Sequence, residues 1–464
     1  MNNNNTDRYR AACSRIRAPE EWKRKTAARM EQAAARQHKR PPKWVWASTT
    51  AALLAGILLL SSVLRPTTAQ AKENLMRGIS PQKQEIPQTP SAEFVAAQAD
   101  FGVKLLQKTA GEKQNALISP ASVALALGMT ANGAEKNTLS QFEALLGGGM
   151  DLGSLNRNFA SERAAFQSAT GGKFLLANSI WYRDKNLTVK KPFLQANADF
   201  FGAGAFQLDF SDPATAGKIN SWVRENTEGK IDKMVEKIGP YDMMYLINTL
   251  YLEQDWEVPY RGSVKKTFHA PGSDRNVPML NSSETYLHGE GAQGILKPLK
   301  NSRFAFAAIL PDEKASSGAG DPGKLLSDYV AGFSGEKFLS LMRSAGKEKA
   351  GATLPKFKFD CDLPLKNALI SLGLSDAFDK DKADFSAMGA SPDGKLFVSD
   401  VLHKTFIEVD ELGLKAGAAT KVSMVSASAP MRRLVFDRPF LFAVVDTETL
   451  LPVFLGVVMD PSAG

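Results

Sequence analysis

The chain has 464 residues, 44% of them apolar, and a formal charge of +8, which suits a globular protein with a sizeable core. The charge is not spread evenly: residues 1–43 hold twelve Lys or Arg against four Asp or Glu, the whole of the excess, and the other 421 residues balance at 45 against 45. The body therefore offers no basic field for nucleic acid, and that class of function is excluded for it.

Residues 1–43 read as short basic helices, with Ala18, Pro19, Glu20 and Glu21 forming a helix start. Such a segment can lie on anionic lipid or dock a cytoplasmic partner. It is faintly similar to the cytoplasmic tails of membrane-bound regulators of sigma factors. Residues 44–64, from Trp44 to Leu64, carry no charge and are rich in Ala, Leu, Ile and Val. About 20 apolar residues span a bilayer core of roughly 30 Å, so this run predicts a transmembrane helix. Trp44 and Trp46 sit at one edge, and Lys39, Arg40 and Lys43 flank the amino side. The positive-inside rule then puts residues 1–43 in the cytoplasm and everything after Leu64 outside. The alternative is secretion after cleavage near Ala71, since Ala69-Gln70-Ala71 has the small-x-small form of a cleavage site. The two cysteines, Cys13 and Cys361, fall on opposite sides of the membrane in the anchored topology, so packing alone must hold the outer domain.

Residues 65–91, with Pro66, Pro81, Pro87 and Pro90, read as an extended linker holding the next domain off the membrane. Residues 92–464 form one large domain. Within it, Thr138-Leu139-Ser140-Gln141 reads as a capping box opening a helix that ends near Gly147, and Ala214 to Arg224 is helical in pattern. Strand-like runs cover Arg303–Leu310, Leu396–Val409, Leu434–Val445 and Leu451–Met459, the last after a turn at Thr447-Glu448-Thr449. Strands and helices do not alternate regularly, which predicts an α+β architecture.

Enzyme signatures fail. Gly318, Gly323 and Lys324 have phosphate-loop spacing, but Leu325 stands where magnesium chemistry needs Ser or Thr. Asp379, Asp381 and Asp384 lack the central Gly and terminal Glu of a calcium loop. There is no Gly-x-Ser-x-Gly and no His-Glu-x-x-His, and the four histidines (His38, His269, His288 and His403) suggest no triad. No catalytic residue, metal or cofactor is expected.

Eight groups of short stretches, in order over residues 92–462, follow one family's pattern. They are Asn115–Ser122 (NALISPAS), Ile219–Val223 (INSWV) with Thr227–Ile231 (TEGKI), Leu246–Tyr251 (LINTLY) followed by Trp256-Glu257, and Leu354–Phe357 (LPKF). Asp376–Phe378 (DAF) with Ala383–Phe385 (ADF), His403–Val409 (HKTFIEV), Arg438–Phe442 (RPFLF) and Phe454–Gly456 (FLG) complete the set. Together they resemble the serpin family, and the resemblance implies a serpin fold: three β-sheets, eight to nine helices and an exposed reactive loop. It implies a suicide inhibitor of serine or cysteine proteases, acting by loop cleavage, acyl-enzyme trapping and loop insertion into the main sheet. A non-inhibitory binding or signalling protein on the same fold is the alternative.

The resemblance assigns the loop hinge to Glu411, Gly413, Leu414, Ala416, Gly417, Ala418, Ala419 and Thr420. Leu414, Ala416, Ala418, Thr420, Val422 and Met424 alternate with Lys415, Gly417, Ala419, Lys421 and Ser423, the period of a strand with one face on a core. The family usually has Thr where this chain has Leu414, and Glu where it has Lys415. The resemblance implies a reactive bond at Ala427-Ser428 by the family's usual spacing from Glu411, or at Ser428-Ala429 when counted back from Pro439. Either gives a small specificity residue, which favours an elastase-like or subtilisin-like target. The resemblance assigns control of sheet opening to Ser119, Ser122, Asn248, Trp256 and His403. It implies no cofactor, a monomer, and no partner beyond the protease and the membrane.

Overall fold

The structure of the protein is a computed structural model that describes residues 74–168, 172–239, 242–300, 303–313, 321–392, 394–414 and 432–463. The first helix, α1 (Ala92–Thr109), is opened by Ser91, whose hydroxyl accepts the Phe94 N–H at 3.2 Å. Strand β1 (Ala116–Ile118) leads into α2 (Pro120–Ala131), with Ser119 as cap and Pro120 in the first turn. Every residue of α2 is buried, because its sequence is apolar or small on all sides. Then come α3 (Lys136–Gly147), α4 (Leu152–Ser168), β2 (Gly172–Arg183), β3 (Thr188–Val189), α5 (Lys191–Ala196) with a π-turn over Asn197–Phe201, β4 (Gly204–Leu208), α6 (Thr215–Asn226) and β5 (Met244–Asp255). The central strands are β6 (Ser263–Ala270), β7 (Ser273–Gly289), β8 (Ala292–Pro298) and β9 (Phe304–Pro311). Helices α7 (Pro322–Ala331) and α8 (Gly335–Arg343), strands β10 (Lys349–Pro355) and β11 (Phe357–Pro364), and α9 (Lys366–Ser371) follow. The chain ends with β12 (Gly389–Ala390), β13 (Asp400–Val409), β14 (Gly413–Leu414), β15 (Arg433–Val435), β16 (Phe440–Asp446) and β17 (Pro452–Val458).

The main sheet runs β11-β13-β14-β5-β2-β4. A second sheet, β1-β17-β16-β9-β8-β7, continues through the long bent β7 into a third, β6-β7-β10-β15. Strands β9, β16 and β17 are buried along their whole length, as continuous apolar runs predict. Strand β13 alternates strictly between buried and half-buried residues, so it has one face on the core. Helix α2 packs between β5 and β17, behind the main sheet. On the front, α6 and residues 231–235 cover Tyr245 and Ile247 of β5 through a separate apolar cluster with Ile219, Val223 and Val235.

Four expectations shift. The helix of the expected capping box starts three residues earlier, at Lys136 with Glu135 as cap, so Thr138 and Gln141 act elsewhere. Thr138 Oγ1 accepts the Asp384 N–H at 3.0 Å, and Gln141 accepts the Asp376 N–H at 2.9 Å. Its end is as expected, with Gly148 in the left-handed region at φ 62°. The run Leu396–Val409 is a strand only from Asp400, and Leu434–Val445 divides into β15 and β16 around Arg438-Pro439, because Pro cannot continue a ladder. The expected spacer is folded onto the domain from Asn74 onward. Leu75 N–H donates to Ala205 O at 2.9 Å, Asn74 bridges Phe206 at the edge of the main sheet, and Gln82 N–H donates to Asp199 at 2.7 Å. Leu75, Met76 and Ile79 supply the apolar contact that its proline content hid. Among the described residues no helix is long and apolar enough to cross a membrane; the run 44–64 lies outside them.

Candidate functional site

Two strands of the main sheet are joined over only half their length. Residues Asp400–Lys404 of β13 pair in parallel with Tyr245–Thr249 of β5, and the pairing stops there. At the far end β14 stands between them, antiparallel to both: Leu414 opposes Val409 and Gln254, and Gly413 opposes Asp255. The sheet is thus split, and β14 occupies the mouth of the split. A small cavity lies beside it, lined by Leu252, Phe406, Ile407, Leu414, Val444 and Phe454. Leu414 is 3% exposed, with its side chain on the core face. Gly413 makes the approach possible, since a Cβ there would lie 2.2 Å from Gln254 O.

The root of the loop is held from several directions. Trp256 is fully buried; its N–H donates to Leu412 O at 2.8 Å and its indole Nε1–H to Asp410 O at 2.9 Å. Glu411 pairs with Lys356 at 2.6 Å, at the junction of β10 and β11. Burial pushes the Glu411 carboxyl up, but Lys356 and nearby donors outweigh it and hold it below the usual range. Beneath Trp256 sits Lys297, 1% exposed, its ammonium 2.7 Å from Glu284, 2.9 Å from Val258 O and 4.3 Å from the Tyr260 ring centroid. Burial lowers the Lys297 pKa, and Glu284 opposes that. A buried ion pair needs such full coordination to offset its desolvation. At the distal root, Arg432 stacks 4.4 Å from the Tyr286 ring and pairs with Glu348 at 3.4 Å.

Where the split closes, His403 Nε2 accepts the Ser119 N–H at 2.9 Å, and Ser119 Oγ donates to Val453 O at 2.7 Å. Ser119 Oγ also accepts the Ser122 N–H at 3.4 Å. His403 is 1% exposed, and burial lowers its pKa to about 4. Its Nδ1 and Ser122 Oγ find no partner among the described residues. Asn248 pairs with His403 across β5 and β13.

The structure therefore brings Ser119, Ser122 and His403 together under the closed half of the split, sets Asn248 opposite His403 in the strand register, and gathers Trp256, Glu411, Gly413 and Leu414 at the open end. Ala416, Gly417, Ala418, Ala419, Thr420, Ala427, Ser428 and Ala429 lie outside the described residues. Sequence reasoning missed Lys297, Glu284 and Lys356. A lysine in an otherwise apolar strand, Ile295-Leu296-Lys297, was the available signal for the first. Among the described residues no group of His, Cys, Asp or Glu could hold a metal ion.

The fold is mixed, built on three sheets, and the main sheet is split between β5 and β13 with β14 in the mouth of the split. The serpin family model, serine protease inhibitor, matches residues 96–461, and the chain belongs to that family. A serpin-like protein of Thermococcus kodakarensis is 32% identical over 377 residues, 78% of this chain and 85% of that one. The native state of the thermophilic serpin tengpin superposes with a TM-score of 0.78 at 39% identity, covering 83% of this chain and 99% of that one. Its latent state gives 0.68 at 38% identity, covering 81% and 99%. The described architecture thus lies nearer the native state.

Proposed function

We propose that the protein is a membrane-anchored suicide inhibitor of extracytoplasmic serine proteases. The observation that carries this reading is the split, with Leu414 already buried in its mouth. If the loop extended β14 in the register that Gly413 and Leu414 define, Ala416 would come opposite Ile407 and Leu252, Ala418 opposite Thr405 and Leu250, and Thr420 opposite His403 and Asn248. The residues that would face the core are small or uncharged, so a cleaved loop could extend β14 into the sheet without burying a charge there. Each new ladder hydrogen bond contributes roughly 0.5–1.5 kcal/mol, and a dozen outweigh the ordering of the loop. A protease still acylated at Ala427, or at Ser428 in the alternative register, would be carried along and distorted. The small specificity residue favours elastase-like or subtilisin-like targets.

Anchoring through residues 44–64 is part of the proposal, supported by the confinement of the basic excess to residues 1–43. Secretion after cleavage near Ala71 is the other outcome, separated by fractionation.

The test is to incubate the protein with an elastase, a subtilisin, a trypsin and a chymotrypsin, followed by denaturing gels and mass spectrometry. The expected result is a stable complex of summed mass and a released peptide beginning at Ser428 or Ala429. Loop cleavage with no complex and no gain in heat stability would replace the inhibitor with a non-inhibitory binding protein.

A further inference from the structure

Strand β6 is an edge. It pairs only with β7, from Ser263 opposite Leu280 to Ala270 opposite Ser273. His269 N–H points away from β7 and donates to Asp437 O at 2.7 Å. Backbone groups alternate in direction along a strand, so Thr267, Lys265 and Ser263 present their N–H and C=O groups to the same outer side. Pro278, which has no N–H, stands opposite Lys265, consistent with that phase. Among the described residues nothing pairs with this side at Ser263, Lys265 or Thr267, and all five residues Ser263–Thr267 are exposed.

Two further features converge on this edge. Val258 at 69% and Val264 at 58% are the most exposed large hydrophobic residues among those described, and they lie just before and within it. Arg261, Lys265 and Lys266 are cationic and have no carboxylate within ion-pair distance among the described residues. Lysines on an edge strand repel a second copy of the same edge. The same charges favour an extended partner strand that carries carboxylates. The edge also adjoins Glu411: Tyr260 N–H donates to Glu411 O at 2.8 Å, and Ser263 is among the groups that hold the Glu411 carboxyl low.

We propose that the outer edge of β6 is a docking strand for an extended acidic segment of the target protease, bound by strand addition at Ser263–Thr267 with Val258 and Val264 packing against it. It rests on the inhibitor reading only for the identity of the partner. The contact would raise the rate of encounter and leave the loop free to be attacked.

The experiment uses the full-length protein and a fluorescein-labelled peptide, Thr-Glu-Val-Glu-Val-Asp-Val-Thr, with its lysine-substituted twin as control. Binding is followed by anisotropy at low and high salt, and by amide hydrogen exchange. The acidic peptide should bind, weaken roughly tenfold at high salt, and slow exchange at Lys265 and Thr267. Lys265→Pro removes one outward N–H and no bond to β7, and should abolish binding. The double variant K265E/K266E should lose the acidic peptide and gain its lysine twin. Undiminished binding to Lys265→Pro, displacement by a sulfated oligosaccharide without exchange protection, or no binding of the acidic peptide would each overturn the proposal. Complex formation with subtilisin, measured in parallel, reads the inhibitor hypothesis separately: its absence alongside peptide binding would remove the protease as partner and leave the strand site standing.

Discussion

His403 accepts a hydrogen bond from the backbone N–H of Ser119, joining the main sheet to the cap of the helix buried behind it. Only the neutral imidazole can do this, and burial holds the pKa near 4, below the ordinary 6.5. The unfolded chain takes up the proton first, so this stability is present above pH 6.5 and is lost as pH falls from 6.5 to 4. His403→Ala leaves the Ser119 N–H buried without its acceptor, at about 1–3 kcal/mol. A lower melting temperature and a smaller monomer fraction on gel filtration are expected, since the barrier to opening the sheet falls with it. Unchanged values in both would remove His403 from control of the split.

Much of this was legible in the sequence. Alternation in Leu402–Val409 and the apolar runs of β9, β16 and β17 identify strands, because burial on one face or both imposes those patterns. His403, Asn248 and Ser119 were reachable only through the family resemblance; a buried polar residue looks the same in sequence whether it closes a sheet or merely satisfies a core. Lys356 with Glu411 was not legible, because the two lie 55 residues apart and no local periodicity joins them; Lys297 with Glu284 joins consecutive strands, β7 and β8, but the pair forms only once the hairpin register is known. Residues 74–91 were misread for the opposite reason: a proline-rich composition says that a segment forms no regular element, not that it lies free of the body.

Glu162 predicts a second pH dependence. It lies 2% exposed in α4, and burial, reinforced by Asp446, raises its pKa to about 8 from 4.5. The folded state keeps the proton longer than the unfolded one, so this contribution is full below pH 4.5 and is lost as pH rises toward 8. Between pH 4.5 and 6.5 it opposes the His403 slope; above 6.5 it acts alone. Glu162→Gln should raise the melting temperature at pH 8 by several degrees and leave it little changed at pH 4.5. An equal shift at both values would show that Glu162 is ionised in the folded state.

Leu414 and Gly413 should set how the loop partitions between inhibition and simple cleavage. Leu414→Glu places an unpaired charge beside Val444 and Phe454, and Gly413→Ala drives a Cβ into Gln254 O. Both should expel β14 from the mouth of the split and slow insertion. The number of inhibitor molecules used per protease trapped should rise severalfold, with cleaved inhibitor accumulating. Titration giving the wild-type ratio would show that this residue pair does not govern insertion.

The Lys356–Glu411 pair offers a charge-reversal test. Both side chains are about one-third exposed, so the direct pair is worth at most about 1 kcal/mol. Reversing one charge makes a repulsion at the loop root. Lys356→Glu or Glu411→Lys should each speed spontaneous loss of active monomer on warming, and the double reversal should restore most of it. If the double variant decays as fast as the singles, the root is held by the backbone bonds to Trp256 and Tyr260 instead.

The register of the split also predicts where a cleaved loop would meet the front of the sheet. Continued from β14, Lys421 falls opposite Leu402 and Ile247, which belong to the apolar cluster under α6. A lysine there needs a carboxylate, and Asp400 is two residues along β13 from Leu402. Burial raises the Asp400 pKa, and Asp242 adds to that, so in the uncleaved protein its charge is unfavourable. Insertion would bring Lys421 within reach of both acids and turn that cost into an attraction. Asp400→Asn should therefore raise the melting temperature of the uncleaved protein slightly and lower that of the cleaved form. Shifts of the same sign in the two forms would mean that Lys421 does not reach Asp400, and that insertion stops short of the segment covered by α6.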